Sequence, residues 1–466
     1  MTKSVSDMLA GEIAAAVTSG TISARAVVEE TLTRIGRLNT SLVAFTDITA
    51  DRARAKADEI DLRRRNGDRL GPLAGVPFSV KNLYDVKGVR TLAGSKINRD
   101  NDPAAEDATL VSKLEDADAI LLGSVNMGEY AYDFTGENVH YGASRNPHDL
   151  GHMSGGSSGG SGTAVASGMT PLSLGSDTNG SIRVPASFCG LFGLKPTYGR
   201  LSRANTYPFV TSFDHLGPLA RSARDLALAY DAMQGPDDRD PMQVKRPLEL
   251  TVPSVEDGIG GLRLSRAGGY FARGGEPVAF AAVDHVAKTL EASQSIEIEH
   301  AAVARTAAYL ITMAEGSALH LSKLQTRAMD YDPDVRDRLV AGTMLPAAWV
   351  VKAQKFRRFY RERFLQLFDK VDIILAPSTP CPATQIGQKT MVLDGVEMLV
   401  RANIGIYTQP ISFIGLPVAA VPVWLPGQRL PIGVQVIGPP WREDLVLRVA
   451  RYLERAGTCA APVAKE

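Results

Sequence analysis

GGSSGGSGTAVASGMTPLSLGSDTNGSIR, residues 155–183, carries two serine-bearing glycine turns in one short stretch, with Ser157 in the first and Ser181 in the second. Between them, GTAVASG reads as a small-residue helix entered from a glycine-rich loop, and MTPLSLGS at 169–176 reads as a buried strand. Working outward, the same texture recurs. Short apolar runs bounded by glycine or proline occur in GVPFSV (75–80), AILLG (119–123), VDIILAPS (371–378), PVAAVPVW (417–424) and IGVQVIG (432–438). Helical stripes separate them: Leu226, Ala229, Tyr230 and Met233 after Arg224, then 278–291 and 347–369. Alternation of this kind predicts an α/β fold, helices layered around a sheet.

Residues 4 to about 65 are helical in pattern, with Val28, Leu32 and Ile35 following the candidate cap Ser23, and Arg63, Arg64 and Arg65 solvated. We therefore expect a helical lead-in over 1–65, packed on a single domain over 66–466. The Pro-, Gly- and Asp-rich segment near 235–277 is expected to be a surface excursion from that domain. Strand-like runs on both sides of it favour one interleaved sheet over two sequential domains.

Composition narrows the function. The chain has 466 residues, 44% of them hydrophobic, enough to bury a large core. Lys and Arg number 51, as do Asp and Glu, so net charge argues for neither a nucleic-acid footprint nor a polybasic membrane patch. The N-terminal run MTKSVSDMLAGEIAAAV reads as an amphipathic helix rather than a signal peptide, and no apolar run reaches spanning length. Cys189, Cys381 and Cys459 are too scattered for a disulfide frame or a zinc cage, which suits a reducing cytoplasm.

Three residues carry chemistry. In SDTNGSIR, Gly180 just before Ser181 lets successive backbone N–H groups point into one small space, where an oxyanion would sit. The plainer alternative is a Gly/Asn turn joining strand to helix. Upstream, Val76, Phe78 and Val80 alternate in VPFSVKN and leave Ser79 and Lys81 on the other strand face. For Lys81 to act as a base, burial must pull its pKa from about 10.4 towards neutrality. Asp85 stands nearby and would oppose that shift.

Rival readings are weaker. Gly155 and Gly160 have P-loop spacing, but Ser161 stands where the loop's lysine belongs. GGSSG also fits the G-x-S-x-G elbow, whose base would be one of His215, His285, His300 and His320 downstream. His148 and His152 are four apart, yet Pro147 and Gly151 disfavour a helix, so they read as loop residues rather than metal ligands. Cys189, in an apolar run, reads as packing.

Lys81 in GVPFSVKN, Ser157 in GGSSGGS and Ser181 in GSDTNGSIRVPA together resemble the amidase signature family, and the similarity extends over most of the chain. That resemblance implies a large, mixed, twisted sheet between helices and a Ser-cisSer-Lys triad. In that triad Ser181 is the nucleophile, Ser157 the relay after a cis peptide at Gly156, and neutral Lys81 the base. It implies an oxyanion hole from the N–H groups of Thr178, Asn179, Gly180 and Ser181, with no metal and no cofactor. Many members have glycine where Asn179 stands. With CGLFGLKPTYGRLSR and SFDHLGPLARS, this departure resembles the branch that hydrolyses small urea-like amides such as 1-carboxybiuret or biuret with ammonia release. That branch implies a small helical partner, with a homodimer of this chain inside a heterotetramer. The rival branch, glutamine-dependent amidotransferases, is matched by KAQKFRR, where Arg357 is the expected substrate-carboxylate ligand. Its ammonium-binding acid is missing from RANIGIYTQPISFIGLP.

Overall fold

The computed structural model describes residues 3–465; Met1 and Thr2 of the N-terminal run lie outside them. The apolar runs become strands of a mixed eleven-stranded sheet: β1 (Phe45–Ile48), β2 (Pro77–Lys81), β3 (Ile120–Val125), β4 (Leu172–Asp177), β5 (Phe192–Lys195), β6 (His215–Ala220), β7 (Leu264–Ala267), β8 (Ser295–Ile296), β9 (Ile373–Pro377), β10 (Val418–Val423) and β11 (Ile432–Ile437). Their order across the sheet is β1-β3-β2-β4-β6-β5-β10-β11-β9-β7-β8. β2 lies between β3 and β4, parallel to both. Such strands are covered on both faces, and every residue of β2, β3 and β4 is buried.

Helices cover the sheet. The lead-in supplies α1 (Ala10–Ser19), α2 (Ala24–Leu42) and α3 (Ala50–Arg65), and Ser23 caps α2 by accepting the Ala26 N–H. Helix starts leave backbone N–H groups unpaired, and here distant carboxylates take them. Asp61 on α3 accepts from Ala24 and Arg25 at 2.9 and 3.1 Å. The body of the molecule adds α4 (Gly159–Ala166), α5 (Arg183–Phe188), α6 (Ala223–Met233), α7 (Ala301–Arg327), α8 (Pro333–Thr343) and α9 (Ala347–Leu365). Asp225 on α6 accepts from Ala10 and Gly11 at 2.9 Å each, tying α1 to the body.

Two expectations need correction. The lead-in over 1–65 is not helical throughout: Phe45–Ile48 form β1, which pairs antiparallel with β3 at the edge of the sheet and is too short and too little buried to stand out in the sequence. The excursion near 235–277 contains β7, which pairs in parallel with β9 through Leu264, Ser265 and Arg266. Its sequence, LSRA, hides the strand because only alternate residues are buried. Helix α7, 27 residues long, went unread because its buried stripe is mostly Ala, Gly, Ser and Thr, which give little hydrophobic signal. Among the described residues no helix is long and apolar enough to cross a membrane.

Candidate active site

The site forms where β2 and β4 end and α4 and α5 begin. Lys81, the last residue of β2, is fully buried, and its amine donates to Ser157 Oγ at 2.5 Å and to Ser176 Oγ at 2.9 Å. Burial is the main cause that pulls its pKa down to about 7, against the pull of Asp214, Asp177 and Asp133. Asp85, expected to oppose the shift, instead accepts from the Thr91 hydroxyl at 2.5 Å, and those other three carboxylates take the opposing role.

Ser157 is brought to Lys81 by the loop leading into α4. The peptide between Gly156 and Ser157 is cis. Gly156 donates to Phe134 O at 2.8 Å, and Ser157 O accepts from Gly128 at 3.1 Å. A Cβ on Gly156 would stand 2.6 Å from Asp133 Oδ2 and 2.7 Å from Gly136 N, so only glycine fits. The neighbouring Ser158 turns away from the lysine and exchanges hydrogen bonds with the Ser176 backbone.

Ser181 sits in the turn between β4 and α5. Asp177 organises this turn: its carboxylate accepts from the Ile182 N–H at 3.2 Å and from Arg183 Nε and Nη2 at 2.9 Å each. Arg183 is fully buried, its fork also meeting Gln435 and Ser412, and it holds the Asp177 carboxyl well below the usual range against the cost of burial. Gly180 has φ +142°, and a Cβ there would collide with the Thr408 side chain, whose hydroxyl donates to Asn179 O at 2.6 Å. Among the described residues none accepts from the N–H groups of Asn179, Gly180 or Ser181. Thr178 is tied by its hydroxyl to Asp214 at 2.6 Å.

A narrow cleft opens beside Ser181, lined also by Asn179, Tyr309, Thr312, Arg338 and Arg401. A second cavity of about 260 Å³ lies across Thr178, bordered by Ser176, Tyr207 and Asp214. Arg357 is placed elsewhere: it donates to the carbonyls of Phe413 at 2.6 Å and Ser212 at 2.8 Å and stacks on Phe213, and it does not line the cleft. Arg338 donates to the carbonyls of Asp334 and Tyr132 and lies over the Tyr132 ring. Arg401 is within 3.3 to 3.5 Å of Asp133, Asp332 and Asp334.

Of the four downstream histidines, among the described residues none bonds Ser157 or Ser181. His215 turns Nδ1 to the carbonyls of Phe213 and Asp177, and His320 meets Tyr331. His152 lies in a short strand, Asp149–Met153, rather than a loop, and pairs with Asp149; His148 meets Cys189 O. Cys189 is buried, which pushes its thiol pKa up. Sequence reasoning missed Ser176, Arg338, Arg401 and the Asp177–Arg183 pair. The last was readable in principle, since both charges flank the Ser181 turn in SDTNGSIR.

Residues 26–447 match the family model described as Amidase. The chain is 53% identical, over 96% of its length and 98% of the relative's, to AtzE, the 1-carboxybiuret hydrolase subunit of Pseudomonas sp. (strain ADP). It is 37% identical to the A subunit of the glutamyl-tRNA(Gln) amidotransferase of Chromohalobacter salexigens, over 96% of each chain. Among solved structures, it is similar to one described as a vestigial protein complex revealing the origins of an s-triazine catabolic enzyme. That likeness has a TM-score of 0.97 and 52% identity over 97% of this chain and all of the other.

Proposed function

This chain belongs to the amidase family and is an amide C–N hydrolase, and we propose that its substrate is a small urea-like amide, 1-carboxybiuret or biuret. The observation that carries the mechanism is the 2.5 Å contact between a fully buried amine, near neutrality in its titration, and the Ser157 hydroxyl. In this reading neutral Lys81 takes the Ser157 proton as Ser157 takes the Ser181 proton, and Ser181 Oγ attacks the amide carbon. The N–H groups of Thr178, Asn179, Gly180 and Ser181 hold the oxyanion; donors fixed before reaction are worth roughly 10²- to 10³-fold each. The proton returns through Ser157 to the leaving nitrogen, ammonia departs, and water hydrolyses the acyl-enzyme by the same relay. The chemistry calls on no metal or cofactor.

Arg338, whose hydrogen bonds go to carbonyl oxygens, is better placed than Arg357 to meet a substrate carboxylate, because it faces the cleft. The curated relatives are described as subunits. The proposal for this chain extends to a small helical partner resembling the C subunit of tRNA amidotransferases, within a heterotetramer built on a homodimer, in the cytoplasm. The glutaminase alternative is disfavoured, since RANIGIYTQPISFIGLP offers no carboxylate for an amino-acid ammonium.

Ammonia release from carboxybiuret, biuret, allophanate, malonamate, oxamate and glutamine tests the reading. Biuret-type substrates should lead and glutamine trail. Ser181→Ala should abolish turnover, and Lys81→Ala should lower it by about 10²- to 10⁴-fold, the usual worth of a general base. A Lys81→Ala enzyme that keeps most activity, while a histidine variant loses it, would sink the triad.

A further inference from the structure

One polar atom beside Ser181 is left over by the fold. Asn179 is only 7% exposed, and its amide Nδ2 donates to Thr312 Oγ1 at 3.0 Å. Thr312, on α7, is itself buried. The other end of the amide, Oδ1, is buried and has no hydrogen-bond partner among the described residues. Asn179, Thr312 and Ser181 line the same cleft. Buried acceptors in folded proteins are nearly always paired, and an unpaired one is costly enough that a ligand donor is the natural complement.

Its position says which ligand atom that is. Asn179 lies two residues before Ser181, in the turn whose N–H groups are free to receive the carbonyl oxygen under attack. A carbonyl seated there would set the group attached to its carbon in the cleft that the Asn179 side chain also lines. In a urea-type substrate that group is N–H; in a simple carboxylic amide it is CH₂. We propose that Asn179 Oδ1 accepts the N–H adjoining the scissile carbonyl, with Thr312 as the positioning residue that holds the amide. The pair would select ureido substrates over their methylene isosteres. This rests on Ser181 being the nucleophile of an amidase, and deepens that reading. Discrimination follows from asymmetry: a site built to bond an N–H leaves its acceptor stranded when the analogue lacks one.

Biuret and malonamide differ by that single N–H for CH₂ exchange and serve as probes. Each is titrated for its ability to protect Ser181 from a serine-directed fluorophosphonate, a readout that works whether or not the compound is cleaved. The intact chain should be half-protected by biuret at a concentration at least about tenfold below that for malonamide, the scale of one well-placed hydrogen bond in a dry site. Asn179→Ala and Thr312→Val, the second nearly isosteric and away from the oxyanion turn, should each bring the two compounds to near parity. Equal protection of the intact chain by both compounds, no protection by either, or a preference that survives both substitutions overturns the proposal. Failure of the amidase reading shows differently, as a folded chain that the fluorophosphonate does not label at Ser181, and takes this inference with it.

Discussion

Among the described residues two lysines are fully buried, and burial is the main cause that pulls both down to about 7. Their partners separate them. Lys195 donates to the carbonyl oxygens of Pro196 and Leu416, which can only accept, so its amine is held as a donor. Lys81 meets two hydroxyls, Ser157 and Ser176, either of which can donate into a free amine lone pair. The same titration therefore goes with packing in one case and, in the proposed triad, with chemistry in the other. Because the Lys81 pKa is lowered, the amine is protonated and unable to accept below about pH 7, and neutral above it. The pH profile of kcat/KM should accordingly climb through about 7 and level off, reporting the free enzyme's base. Ammonia release measured across that range checks it; a flat profile, or one that falls as pH rises through 7, removes Lys81 as the base.

At the scale of elements, the unit that matters is β4, its turn and α5. Asp177 ends the strand and Arg183 begins the helix, and their buried pair pins the turn that presents Ser181 from both sides. Removing one partner of such a pair strands a charge away from water, which costs about 3 to 5 kcal/mol. Arg183→Met should therefore lower the unfolding free energy obtained from denaturant titration by an amount in that range and cost activity with it. A variant of near-normal stability would show that the pair is not what holds the turn. Strand and turn were legible in the sequence because they are contiguous and their glycines mark the turns, whereas the charge pair that pins them was not read. Lys81, too, was readable, since a lysine ending an otherwise apolar run is unusual in a buried strand. Arg338 and Arg401 were not legible, for their segments reach the cleft only through tertiary packing. Helix α7 hid behind small residues, and β7 behind polar ones, because neither announces burial by hydrophobic period.

At the scale of the whole molecule, the sheet delivers Lys81 and the Ser181 turn from adjacent parallel strands, while α7 and α8 wall the cleft through Thr312 and Arg338. The outer helical layer is less finished than the core. Met329 is 79% exposed, Met344 71% and Trp349 51%, all between α7 and the first turn of α9. With 51 basic and 51 acidic residues, no net charge holds copies apart. A chain with large apolar side chains outside and no net repulsion is prone to associate, and the proposed small helical partner would give that tendency a defined outcome. Untagged protein isolated from its native cells and sized by light scattering should run well above the 49.8 kDa of one chain, with a second, much smaller polypeptide in fixed ratio. A lone chain of 49.8 kDa, stable and fully active on its amide, would instead mean that the triad needs no partner and that the exposed side chains are ordinary surface.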